Sequence, residues 1–277
     1  MSDRLDYDVS SDVAQFDRPA SAPVTPGRAS SPPDFGGCPA HDGSEPFPMP
    51  LGPAARQTEP PAPPGARPAA PISPDLAAIG ALIARSPLWT EAELLASIDA
   101  SLAGWDGRSD VWVFAYGSLI WKPEFAHVEA RRARVHGLHR RLCLWSTLTR
   151  GTCSQPGLVL GLDAGGSCDG VVYRIPAPDV RDAFLRLWRR EMKRGSYVPT
   201  FLRSRTERGP VPALGFGINR ELPCYAGHLS DAQVAEVLRR AHGQCGSSRD
   251  YVLHTVTALR NHGIVDNGLE RVAALLG

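Results

Sequence analysis

Downstream of residue 75 the apolar positions follow two periods, first helical and then strand-like. Leu76, Ile79, Leu82 and Ile83 recur at helical spacing, and Ser73-Pro74 ahead of them reads as an N-cap followed by a first helical position. Thr90 and Glu93 have the spacing of a capping box. Leu94, Leu95, Ile98 and Leu102 supply the apolar side of that second helix, and Gly104 ends it. The texture then changes. Val111-Trp112-Val113-Phe114-Ala115-Tyr116 is rich in β-formers and stops at Gly117-Ser118. Further strands are predicted over 134–145, 158–162, 170–175, 197–205 and 213–218, with Gly165-Gly166-Ser167 as a turn between the third and fourth. A helix over 179–194 interrupts them. Ser230 with Gln233 caps a helix near the C-terminus, Ser247 or Ser248 starts another, and 267–276 forms a last one. This order predicts an α+β domain, with a curved mixed sheet or small closed β-barrel and flanking helices.

Composition separates the first seventy-odd residues from the rest. Of 26 prolines, 17 lie between Pro19 and Pro74. The run Gln57-Thr58-Glu59-Pro60-Pro61-Ala62-Pro63-Pro64-Gly65 suits neither helix nor central strand. Residues 1–72 are therefore expected to be a disordered Pro-rich tail, serving as a plain tail or as a ligand for a groove-type partner. Residues 73–277 are expected to form one domain.

Charge and cysteine usage narrow the class. Lys and Arg total 30 against 29 Asp and Glu, and Lys122 and Lys193 are the only lysines. A global field for nucleic acid is missing, and the cluster Arg131 to Arg141 alternates as a solvated strand face would. No stretch approaches eighteen consecutive apolar residues, and MSDRLDYDVSSD has neither a basic start nor an apolar run, so neither a membrane span nor a secretory signal is expected. Cys38, Cys143, Cys153, Cys168, Cys224 and Cys245 are scattered without a C-x-x-C pair and read as free thiols of a cytoplasmic protein. The eight histidines make no zinc pattern, and no nucleotide-loop or nucleophile-elbow motif is present.

Two segments carry chemistry. In Phe114-Ala115-Tyr116-Gly117-Ser118-Leu119-Ile120-Trp121 a buried strand runs into Gly-Ser. Glycine lets a ligand approach the main chain, and successive N–H groups at such a turn can form an anion-binding concavity. The same residues would also make an ordinary strand-to-turn junction. In the helix over 180–194, Val180, Phe184, Leu187 and Trp188 form an apolar stripe. Glu191 follows them by eleven, seven, four and three residues, and so sits on that stripe. Arg186, Arg189, Arg190 and Lys193 fall on the opposite face. Glu191 also lies in the last turn, where negative charge opposes the helix dipole. Burial and the dipole should raise its pKa, as a proton shuttle needs. A core-edge glutamate paired with an arginine would fit the same pattern.

The segments VWVFAYGSLIWKPEF, RGTCSQPGLVLGLDAGGSCDGVVYRI and LWRREMKRGSYVP together resemble the ChaC-type γ-glutamylcyclotransferases, in that family's order and spacing. The resemblance covers roughly 111–220 and weakens through the C-terminal helices; Ala115 stands where many members carry glycine. It implies a compact α+β fold with a small β-barrel. It implies that the γ-glutamyl group of glutathione, a small-molecule substrate, is released as 5-oxoproline, leaving cysteinylglycine. No metal or other cofactor is implied, because the attacking amine belongs to the substrate. The resemblance further implies Glu191 as the catalytic acid–base. It places Ala115, Tyr116, Gly117, Ser118, Leu119 and Ile120 in the substrate-binding segment, with Tyr197 as a further contact and Arg150 as a weaker one. A different γ-glutamyl amine or dipeptide as substrate, and a non-catalytic γ-glutamyl-binding module, are the alternatives.

Overall fold

The computed structural model describes residues 75–277; the Pro-rich stretch, Ser73-Pro74 and Cys38 lie outside the described residues. Helix α1 runs Leu76–Ala84, and the residue that caps it is Asp75, whose carboxylate accepts the Ala78 N–H at 3.0 Å. Helix α2, Glu91–Ser101, starts at the expected capping box of Thr90 and Glu93.

Five strands close into a barrel: β1 (Val111–Ala115), β2 (Glu129–Ser146), β3 (Gly157–Ile175), β4 (Tyr197–Thr206) and β5 (Gly209–Ile218). Their order is β1-β3-β2-β4-β5, antiparallel throughout until β5 returns to β1 in parallel, with Trp112 opposite Ala213 and Val113 opposite Leu214. The expected turn at Gly165-Gly166-Ser167 is instead a bulge inside one long strand. His136 pairs with Ser167 and Leu138 with Ala164, so two residues of β3 oppose Gly137 alone. Gly165 and Gly166 both take positive φ, which absorbs the extra residue and bends the ribbon without ending it. A second shift near Cys143 bends β2 again. Two long bent strands thus stand where three short ones were expected.

Helix α3 (Val180–Glu191) packs its stripe against the barrel: Val180, Phe184, Leu187 and Trp188 are all buried. Phe184 stacks on Trp188 at 5.2 Å, and Trp188 meets Phe216 of β5 edge-on at 5.3 Å. On its other side Trp188 donates from Nε1 to Ser97 Oγ of α2 at 2.9 Å. Burying such side chains is worth about 1.5–3 kcal/mol each, which fixes the rotation of α3 and with it the direction of Glu191. Helices α4 (Asp231–Arg240), α5 (Ser248–Asn261) and α6 (Asn267–Leu275) follow; Ser230 and Gln233 form the expected box, and Ser247 is the cap of α5. Among the described residues the cysteines are free, and no helix is long and apolar enough to cross a membrane.

Candidate active site

The site is built where the end of β1 meets the end of α3. After Ala115 the chain passes Tyr116 and Gly117 and makes a single 3-10 turn over Ser118–Ile120. The N–H groups that open such a turn have no carbonyl partner within it. Gly117 is held close: a Cβ there would stand 3.2 Å from the Tyr251 hydroxyl and 3.6 Å from the Leu160 side chain. Tyr116, Gly117, Ser118 and Leu119 line a small recess that Glu191 also lines. Ala115 and Ile120 do not line it. Ala115 is buried in the barrel wall, and the Ile120 carbonyl accepts the Tyr173 hydroxyl at 2.9 Å.

Three tyrosines complete the recess. The Tyr116 hydroxyl donates to the Phe216 carbonyl at 2.8 Å, and the Tyr197 hydroxyl to the Leu160 carbonyl at 3.2 Å. The Tyr251 hydroxyl accepts the Leu160 N–H at 3.2 Å. Burial raises all three phenols, Tyr251 to about 12, so they stay protonated at neutral pH. Tyr251 was not expected from the sequence. It lies in the first turn of α5, and its spacing alone marks it as one more buried helix residue.

Glu191 ends α3 with its side chain 16% exposed. Burial raises its carboxyl above the usual range, and the Arg190 guanidinium partly opposes that shift. Arg190 is the main departure from the helical-wheel reading. Its Cα leaves the helix on the outer side, but the long side chain turns back. Nε pairs with Glu191 Oε1 at 3.0 Å, and Nη2 donates to Ser118 Oγ at 2.8 Å. Nη1 reaches the Lys122 carbonyl at 2.6 Å and Glu124 Oε2 at 2.7 Å. One guanidinium therefore ties the end of α3 to the turn after β1. Periodicity gives the position of a Cβ, and a long arginine carries its charge elsewhere.

The recess has a volume of about 20 Å³, room for little more than a water, and it shares Ser118, Glu191, Tyr197 and Tyr251 with a cleft of about 990 Å³. Glu191 lines both, so a ligand seated in the cleft lies against its carboxyl. Arg150 lines this cleft, with its guanidinium 5.4 Å from the centre of the Tyr251 ring and Nη1 donating to the Cys245 carbonyl. Arg186, Arg189, Lys193 and Arg194 also line it, which makes the mouth cationic. The arrangement offers a carboxyl of raised pKa, a turn with free N–H groups and a cleft suited to an anionic ligand.

Known proteins are similar to this chain. The family described as "ChaC-like protein" matches residues 111–276. The glutathione-specific gamma-glutamylcyclotransferase of Escherichia coli (strain K12) is 35% identical over 188 residues, covering 68% of this chain and 81% of the relative. The glutathione-specific gamma-glutamylcyclotransferase 1 of Mus musculus is 31% identical over 174 residues, covering 60% of this chain and 78% of the relative. In fold, the chain is similar to the crystal structure of the glutathione-specific γ-glutamyl cyclotransferase from yeast, with a TM-score of 0.56 at 22% identity, over 61% of this chain and 96% of that one. The barrel, the turn after β1 and the sequence agreement lead to one conclusion: the chain belongs to the ChaC-like family.

Proposed function

We propose that the protein degrades glutathione by intramolecular cyclisation, giving 5-oxoproline and cysteinylglycine. The names of its relatives support the substrate. The observation that carries the chemistry is the largely buried carboxyl of Glu191, tethered by Arg190 to the turn whose residues line the same recess.

The α-amine of the γ-glutamyl group attacks its own γ-carbonyl carbon. The new C–N bond closes a five-membered lactam, and the bond to the cysteine nitrogen breaks. The two products together contain every atom of the substrate, so no water is consumed. Glu191, ionised at the start, takes a proton from the attacking ammonium and returns one to the leaving nitrogen; such transfer is worth about 10²–10⁴ in rate. Folding the flexible chain into its attack geometry contributes up to about 7–11 kcal/mol in favourable cases. The N–H groups of Gly117, Ser118 and Leu119 hold the α-carboxylate or the oxyanion that develops on the γ-carbonyl. Tyr197 walls the recess, and Arg150 faces the half of the peptide that leaves. A cytoplasmic location, reducing and rich in glutathione, suits both the substrate and the free thiols.

Purified protein is incubated with glutathione, γ-glutamyl-alanine and γ-glutamyl-ε-lysine, and products are followed by mass spectrometry. Equimolar 5-oxoproline and cysteinylglycine are expected from glutathione. Glu191→Gln keeps the shape and removes the base, so it should lose turnover while still binding glutathione. A folded, active Gln variant would remove Glu191 from the mechanism. Turnover of another γ-glutamyl compound alone would overturn the substrate.

A further inference from the structure

We infer that Arg140 is a positioning residue that aims the Gly117 amide into the recess, and that Asp266 holds Arg140 to that task. The inference rests on the cyclotransferase reading of the same site.

Arg140 lies in β2, outside the turn and outside α3, and its side chain is 1% exposed. A buried guanidinium must be paired and hydrogen-bonded throughout. Its partners show what it is for. Nε donates to the Tyr116 carbonyl, Nη2 to the Asp169 carbonyl, and Nη1 to Asp266 Oδ2 at 2.6 Å. Asp266 is itself fixed, because its Oδ1 caps α6 by accepting the Leu269 N–H at 3.0 Å.

The consequence follows from the planarity of one peptide. No cis peptide bond occurs among the described residues. In a trans peptide the C=O of residue 116 and the N–H of residue 117 lie in one plane and point opposite ways. Drawing the Tyr116 oxygen towards Arg140 therefore turns the Gly117 N–H away from it. Gly117 lines the recess together with Tyr251. Arg140 thus sets the direction of a donor it never touches. A cation on the carbonyl oxygen also polarises the peptide and strengthens its N–H as a donor. The last helix of the chain is joined in this way to the first turn of the site through two side chains.

The test compares wild type with Arg140→Lys, Arg140→Met and Asp266→Asn. The Asn variant keeps a good cap for α6 and removes the charge that holds Arg140, so it remains informative if the Arg140 variants do not fold. Circular dichroism and thermal melting establish folding, and active-site titration gives kcat per folded molecule. Arg140→Met should lose at least tenfold in kcat/KM for glutathione. The loss should be equal for any other γ-glutamyl compound that the wild type turns over, since the amide faces the shared γ-glutamyl half. Arg140→Lys, which can still donate to the Tyr116 carbonyl, should recover part of it. In ¹⁵N-labelled protein the Gly117 amide proton should move upfield in Arg140→Met as its peptide loses polarisation. A merely structural role would lower melting temperature and active fraction alone. Folded Arg140→Met or Asp266→Asn with kcat/KM within twofold of wild type and an unmoved Gly117 amide would overturn the inference. Wild type that leaves glutathione and every other γ-glutamyl compound unchanged would overturn the cyclotransferase reading, and this inference with it.

Discussion

Glu191 is pulled in opposite directions, with burial favouring its neutral form and Arg190 favouring the charged one. Burial prevails, so its pKa lies above the ordinary value of about 4.3. If Glu191 is the base, kcat/KM rises with pH through that raised value. Arg190→Gln removes the opposing cation and should move the acid limb to higher pH, which a pH–rate profile measures. An unmoved limb would mean that another group controls it. Stability has the opposite sign. A carboxyl that is harder to ionise when folded favours the folded state below its unfolded pKa, and that contribution is lost as pH rises through the folded value. Glu191→Gln should therefore gain stability relative to wild type as pH rises above the unfolded carboxyl value of about 4.3, as read from denaturant midpoints. Glu191 was legible in the sequence because a charge on an apolar stripe breaks a periodic pattern. Arg190 and Tyr251 break none. One earns its place by a rotamer and the other by tertiary packing, and neither leaves a trace in spacing.

Among the elements, the end of α3 is also supported by residues that precede the family match at 111–276. The Trp89 N–H donates to the Lys193 carbonyl at 2.8 Å, Arg189 pairs with Glu91, and Arg194 donates to the Ser86 carbonyl. Gly195 turns the chain at φ +65°, and a Cβ there would meet the Trp89 ring at 2.7 Å. Gly195→Ala should cost about 1–2 kcal/mol in backbone strain and, by displacing Trp89, lower kcat as Glu191 shifts. Thermal melts and steady-state kinetics check both, and unchanged kcat would show that the Trp89 contact does not govern the position of Glu191. Element types were largely legible, because capping boxes and apolar stripes are local. The bulge opposite Gly137 was not. A Gly-Gly pair can end a strand or bend it, and only the partner strand decides which.

For the molecule as a whole, the fold class was readable from the order of elements, whereas the closure of the barrel depends on β1 meeting β5, a pairing that periodicity cannot express. Among the described residues the earliest to line the cleft is Ile83. Removing residues 1–72 should therefore leave kcat and KM for glutathione within twofold of the full chain. A larger change would assign the Pro-rich stretch a part in catalysis. The recess draws on the turn after β1 and on β3, α3, β4, β5 and α5, so its walls span the chain from Tyr116 to Tyr251. Such a site has no half-built working form. Contacts this distant in sequence form slowly, since long loops must close before they gain any stabilisation. On dilution from denaturant, helical circular dichroism should return before turnover does, and turnover should follow the slowest phase. Simultaneous recovery would mean that barrel closure is not the late step. On the ribosome the same geometry keeps the growing chain inactive until α5 has emerged, so catalysis begins only once the domain is essentially whole.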